Sequence, residues 1–227
     1  MAGNAIIIGA SRNLGLAIAS EFAKRQWNVV GTVREGSAGG FDDLIRSFPG
    51  TVRREHLDIT RDVEIRELGE RLTANSFDLL FVNAGITDAD VPVGRVDAET
   101  FSRVMVTNAL APMHVVEFLA SRVKPQGTIA VMSSRQGSIA MNERGGHEVY
   151  RASKSALNQL MRSYAARVAG GHTLLLMHPG WVQTDLGGPG ARLTVSDSAP
   201  RVVDIVLRHA GEPGLQFRDY TDEVIPW

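Results

Sequence analysis

The sequence predicts an α/β protein: a single doubly wound domain, with a parallel sheet of about seven strands and helices on both of its faces. Three observations carry this. Short apolar runs alternate along the chain with longer stretches of helical spacing, the signature of β-α-β units. The first run, AIII, is apolar at consecutive positions and so suits a strand buried on both faces. The chain has 227 residues, enough for one full-sized core and too few for two.

The elements follow in order. Residues 5–8 give the first strand, ending at Gly9. Residues 16–26 place Leu16, Ala19, Phe22 and Ala23 on overlapping faces of a helix. A strand at 28–33, a short helix at 41–48, a strand at 52–57 and a helix at 61–74 come next. Residues 77–82 form another buried strand, and residues 98–123 a long helical pattern in which Pro112 marks a kink or break. A strand at 128–132 precedes a helix at 147–168, stopped by Gly170 and Gly171. A strand at 173–177, a helix at 196–209 and a short strand at 215–217 complete the set. The loosest stretch is GGPGARLT at 187–194, a loop on the edge where ligands bind in such sheets. No composition shift marks a boundary, so the domain spans 1–227, with substrate loops at about 135–149 and 181–195.

Composition excludes several classes. Lys plus Arg is 24 against 25 for Asp plus Glu, so no basic excess points to nucleic acid. With no cysteine there is no disulfide, thiolate nucleophile or Cys-based metal site. No histidine pair has metal-ligand spacing with carboxylates, so no metal is expected. MAGNAIIIGAS lacks a basic leader region, and no apolar stretch is expected to near the roughly 18 residues that span a bilayer. The expectation is a soluble cytoplasmic protein that binds neither nucleic acid nor membrane.

Gly9-Ala10-Ser11-Arg12-Asn13-Leu14-Gly15 lies between a buried strand and an amphipathic helix. A diphosphate at a helix N-terminus needs close backbone approach, unpaired N–H groups and no bulky side chains. Asn13 stands where a further glycine would be expected, and asparagine is among the residues best able to take φ > 0. Asn83-Ala84-Gly85, Ser134, the YRASK run at 150–154 and His178-Pro179-Gly180 fall at strand ends or at the starts of the following helices. That is the ligand-binding edge of an open α/β sheet.

GASRNLG at 9–15, LDIT at 57–60, NAG at 83–85, Asn108, SSRQG at 133–137, YRASK at 150–154 and HPGWVQTD at 178–185 occur in this order across the chain. By this set the sequence resembles the short-chain dehydrogenase/reductase family. Within it, SSRQGSIA, the GGPGA run and the ending FRDYTDEVIPW resemble the C-factor-like and sniffer-like carbonyl reductases. The resemblance implies a Rossmann-type fold and an oxidoreductase that moves a hydride between a nicotinamide cofactor and a small carbonyl or secondary alcohol. It implies that Tyr150 is the general acid or base, that Ser134 bonds the same oxygen, that Lys154 also holds the nicotinamide ribose, and that Asn108 supports a proton relay to Lys154. It further implies that Gly9, Ser11, Arg12, Asn13, Leu14 and Gly15 take the diphosphate end and Asp58 and Ile59 the adenine. Asn83, Ala84 and Gly85 would pack on the cofactor, and Pro179, Gly180, Val182 and Thr184 would embrace the nicotinamide. Ser134, Gln136, His147, Tyr150 and Trp181 would meet the substrate. A homodimer or homotetramer is implied, through the long helices. The departures are Asn13 in the glycine turn and the 16-residue spacing from Ser134 to Tyr150, which enlarges the loop over the site.

The residues themselves support part of this. Tyr150 and Lys154 are four apart and share a helix face. A nearby ammonium is expected to lower the phenol pKa toward working pH. Trp181 reads equally as an apolar wall for substrate or as core. At the end of the second strand the expected position of a ribose-binding carboxylate is Thr32, whereas Arg12 and Arg34 offer guanidinium forks suited to a 2′-phosphate. NADP(H) is therefore expected as the preferred cofactor, with NAD(H) possible through Glu35. The alternative is a dinucleotide-binding signalling or sensing protein with little turnover.

Overall fold

The computed structural model describes residues 3–37, 39–168 and 170–227. Seven strands are described: β1 (Asn4–Ile8), β2 (Asn28–Val33), β3 (Val52–His56), β4 (Phe77–Val82), β5 (Val123–Met132), β6 (Thr173–His178) and β7 (Gly214–Asp219). They form one sheet in the order β3-β2-β1-β4-β5-β6-β7, every pairing parallel. The order reverses between β1 and β4, which opens a crevice at their carboxyl ends.

Both faces of the sheet are covered. Ile6 and Ile8 of β1 join a core that holds Ile65 and Leu68 of α3 (Asp62–Arg71), Val115 and Leu119 of α5 (Ala111–Leu119), and Leu157 and Met161 of α6 (Glu148–Val168). Ala5 and Ile7 point the other way. Their core holds Ile18 and Phe22 of α1 (Asn13–Lys24), Phe41 and Leu44 of α2 (Gly39–Ser47), and Val202 and Val206 of α7 (Val195–Arg208). The two-residue alternation of the strand thus feeds both layers, as the continuous apolar run requires.

The elements depart from the sequence reading in four places. The stretch at 98–123 is not one helix. It comprises α4 (Ala98–Met105), a π-helical turn (Val106–Leu110), α5 and a 3-10 turn (Ala120–Arg122). The break precedes Pro112, whose missing N–H withholds one bond where the π turn passes into α5. β5 begins at Val123, five residues earlier than its apolar core suggests, because Lys124–Gln126 are not fully buried and carry no strand pattern. Residues 98–122 hold an 18-residue stretch apolar enough to cross a membrane, with a mean hydropathy of 1.3, but half of that stretch is buried in the protein. Finally, the segment after β6 is held in place. Gln183 N donates to Leu193 O at 2.8 Å, Leu193 N to Trp181 O at 3.0 Å, and Thr194 closes a capping box with Asp197 at the start of α7.

Candidate active site

The glycine turn is built by close approach. Gly9 has φ of 82°, and its amide donates to the Thr32 hydroxyl at 3.0 Å. Asn83, at the end of β4, donates from its side chain to Gly9 O at 3.1 Å and from its amide to Ile8 O at 3.0 Å. Ala84 packs on Gly9. A Cβ on Gly15 would stand 2.0 Å from Gly9 O, so only glycine lets α1 start this near the strand. Asn13 adopts φ of 49°, as expected of the residue replacing a glycine. Arg12, the N-cap of α1, is extended and supplies no side-chain cap. The first amides of α1, flanked by half-buried Ser11 and buried Leu14, thus receive no side-chain cap from that residue. The guanidinium of Arg12 and the side-chain Nδ2 of Asn13 both donate to Asp185, each at 3.1 Å, linking this turn to the segment after β6.

Beyond the turn, at the ends of β2 and β3, lies a cavity of about 570 Å³ lined by Arg34, Asp58, Arg61 and Glu64, among others. Burial raises the Asp58 pKa, but bonds from the Thr60 hydroxyl and amide and the charges of Arg34 and Arg61 bring it below the usual carboxylate value. Ile59 is buried in the core beside it. Arg34 is exposed at the cavity rim. Thr32 is buried and its hydroxyl accepts from Gly9 N, so it braces the turn.

The acid–base group forms where β5 meets α6. After Met132 the chain makes a 3-10 turn (Arg135–Gly137), and the Ser134 hydroxyl accepts from Gln136 N at 3.1 Å. Asn158 and Ser155 donate to Gly137 O at 3.2 and 3.0 Å, and Ser133 donates to Asn158 at 2.6 Å. These bonds dock the serine turn on α6 beside Tyr150 and Lys154, both buried. Burial pushes the Tyr150 phenol up to about 12, against a smaller lowering by the neighbouring Ser134 side chain, and pushes Lys154 down to about 8. The expected lowering of the tyrosine by the lysine is therefore overturned in the protein alone: desolvation is the larger effect. Lys154 Nζ donates to Met132 O at 3.0 Å and lies 5.9 Å from the Tyr150 ring centroid.

Asn108 sits in the π-helical turn and is fully buried. Its amide nitrogen donates to Ile86 O at 2.8 Å and Ser153 Oγ at 3.0 Å, and its oxygen accepts from Ile86 N at 2.8 Å. A Cβ on Gly85 would be 3.3 Å from Asn108 Oδ1 and 3.5 Å from Lys154 Nζ, so the NAG segment, Asn108 and Lys154 converge.

The remaining expected residues lie on the segments that follow β5 and β6. Gln136 is half-buried next to Ser134. His147 has φ of 47° and ends the approach to α6; its amide donates to Asp90 at 2.5 Å and its ring lies 3.6 Å from the same carboxylate. Trp181 is 54% exposed and donates to Gly187 O at 2.8 Å, so it lies on the surface and not in the core. Ile139, Met141 and Leu186 are also exposed on these loops. Pro179 O accepts from Ser198 at 2.7 Å, Gly180 has φ of 85°, Val182 is buried, and the Thr184 hydroxyl accepts from Gly187 N at 3.0 Å. Sequence reasoning missed Gly137, Ser153, Asn158, Asp90 and Glu148, whose carboxylate accepts from Val93 N at 2.8 Å. For Gly137 and Ser153 a signal existed, since both lie inside quoted motifs; for the others there was none.

A family model described as enoyl-(acyl carrier protein) reductase matches residues 9–208. The chain is similar to a short-chain dehydrogenase/reductase of Burkholderia multivorans solved with bound NADP, at 48% identity and a TM-score of 0.96, with both chains covered in full. It is similar to a carbonyl reductase of Pseudomonas aeruginosa in complex with NADP, at 35% identity and a TM-score of 0.92, again over both full chains. It is 35% identical to the C-signal protein of Myxococcus xanthus, over 72% of this chain and 100% of that protein.

Proposed function

Because the chain belongs to the short-chain dehydrogenase/reductase family, we propose that it is a cytoplasmic NADP(H)-dependent carbonyl reductase with Tyr150 as its general acid. The observation that carries the proposal is the buried Tyr150 hydroxyl, with Ser134 beside it and Lys154 one helical turn away. The uncapped start of α1, the Gly9–Gly15 approach and the cavity edged by Arg34 suit a dinucleotide phosphate, and two relatives were solved with NADP. The bound nicotinamide supplies the hydride. A phenol with a pKa of about 12 is protonated at neutral pH, so Tyr150 holds the proton that the substrate's carbonyl oxygen takes. Ser134 orients that oxygen through a second hydrogen bond. The Lys154 ammonium stabilises the phenolate that Tyr150 becomes. Arg34 and Arg12 would hold the 2′-phosphate. Gln136, His147 and Trp181 contact a small carbonyl compound or secondary alcohol.

The test is loss of the reduced-nicotinamide absorbance with a panel of ketones, aldehydes and diketones. NADPH binding without turnover across the panel would favour the second reading, a dinucleotide-binding signalling protein, for which the likeness to C-signal speaks. The same proposal includes a homodimer or homotetramer. Phe101, Val106 and Leu110 are exposed on the α4–α5 stretch and Leu160 on α6, an apolar face suited to a second copy. Light scattering that gives only a 24.6 kDa species would reject it.

A further inference from the structure

The chain beyond β7 folds back on itself. Arg218 pairs with Val224 in an antiparallel bridge, and Ile225 N donates to Phe217 O at 2.8 Å. Asp219 stands at the root of this hook and is 1% exposed. Its Oδ1 accepts from Thr221 N at 2.9 Å, Thr221 Oγ1 at 2.6 Å and Glu223 N at 3.1 Å. Its other oxygen accepts from the Arg135 guanidinium at 2.6 Å. Arg135 directly follows Ser134. The hook touches the same loop again through Trp227 O, which accepts from Ala140 N at 3.1 Å. Trp227 is itself held by Phe217, with ring centroids 5.7 Å apart, and by the Arg162 guanidinium 5.1 Å from its ring.

The serine turn is thus gripped from two sides. α6 holds it through Gly137 O, and the hook holds it through Arg135 and Ala140. The α6 contacts alone fix one end of a turn that must present a single hydroxyl to a substrate oxygen. A buried carboxylate whose four bonds all stay within the hook and Arg135 is a rigid anchor, since both of its oxygens are engaged. We infer that Arg135 and Asp219 are positioning residues for Ser134, the ion pair between them setting where the serine hydroxyl stands relative to Tyr150. The inference rests on the carbonyl reductase reading above. It has no bearing on the diphosphate end, where neither residue makes a contact.

The experiment compares wild type, Tyr150→Phe, Arg135→Ala, Arg135→Lys and Asp219→Asn for kcat and KM with one ketone, for NADPH affinity by fluorescence titration, and for unfolding temperature. Active wild type with inactive Tyr150→Phe establishes the reading on which the inference stands; inactive wild type or active Tyr150→Phe refutes that reading itself. Arg135→Ala is expected to lower kcat by about tenfold to a hundredfold, the scale of a misplacement of about 1 Å, with NADPH affinity within about twofold of wild type. Arg135→Lys keeps the charge and should recover part of the loss, and Asp219→Asn should match Arg135→Ala. The inference is overturned if kcat in Arg135→Ala stays within about twofold of wild type, or if that variant fails to fold or loses NADPH affinity and kcat together, because the pair is then structural only.

Discussion

Gly137 lies so near the backbone of Lys154 that a Cβ on it would stand 2.9 Å from the lysine carbonyl carbon. This closeness brings the serine turn and the tyrosine helix into one group. A Gly137→Ala variant must push them apart, and since a shift of about 1 Å can cost on the order of a hundredfold in rate, turnover should fall steeply. Unchanged kcat in that variant would show that the docking does not set the geometry.

Replacing Tyr150 by Phe removes only a hydroxyl. Turnover is expected to fall by about a hundredfold or more, in line with general acid catalysis, with NADPH affinity nearly unchanged. Steady-state kinetics together with cofactor titration check both halves.

Lys154 gives a pH dependence with a definite sign. Its pKa is depressed by burial to about 8, so the ammonium is present below that pH and lost above it. Reduction, which leaves a phenolate needing that charge, should decline as pH rises through about 8, while Tyr150 remains protonated to about 12. A profile of kcat/KM for NADPH, which reports groups of the free enzyme, tests this; a flat profile from pH 7 to 10 would contradict it.

Cofactor preference should follow Arg34. A charge-assisted bond to a partly exposed phosphate contributes about 1–3 kcal/mol, roughly tenfold to a hundredfold in affinity. Arg34→Ala should weaken NADPH by that factor, leave NADH nearly unchanged, and reduce the sensitivity of NADPH binding to added salt. Equal affinities of wild type for the two cofactors would reduce Arg34 to a surface charge.

Gly15→Ala should destabilise the protein and abolish dinucleotide binding together. The added methyl meets Gly9 O at 2.0 Å, against rigid backbone, and overpacking of this kind costs about 1–3 kcal/mol. Thermal unfolding and NADPH titration read the two effects separately.

Much of this was legible in the sequence because it is local. The glycine turn, the positive φ of Asn13, and the shared face of Tyr150 and Lys154 each follow from a few adjacent residues. The partners that support them are not local. Arg135 meets Asp219 across 84 positions and His147 meets Asp90 across 57, and in sequence each looks like any solvated charge. The direction of the Tyr150 shift was misread for a related reason: spacing reports that a lysine is near, but not how little water reaches either group. The bond from Gly9 to Thr32 was not legible because strand alternation gives a side chain's face only once the register is known. Thr32 turns toward Gly9, so a carboxylate there would be buried beneath the glycine turn.

The π-helical turn at Val106–Leu110 makes the spacing between α4 and α5 a matter of phase. A π turn accommodates one residue more than an α-helix of the same rise. Removing a single residue there would let the segment relax into an unbroken α-helix, with α4 and α5 keeping their phase and only the turn itself redrawn. Asn108, which sits in that turn, would swing away from Ile86 and Ser153. Insertions and deletions in this chain should therefore be tolerated in the exposed loops but not across these five residues, where the reading frame of the helix is part of the site.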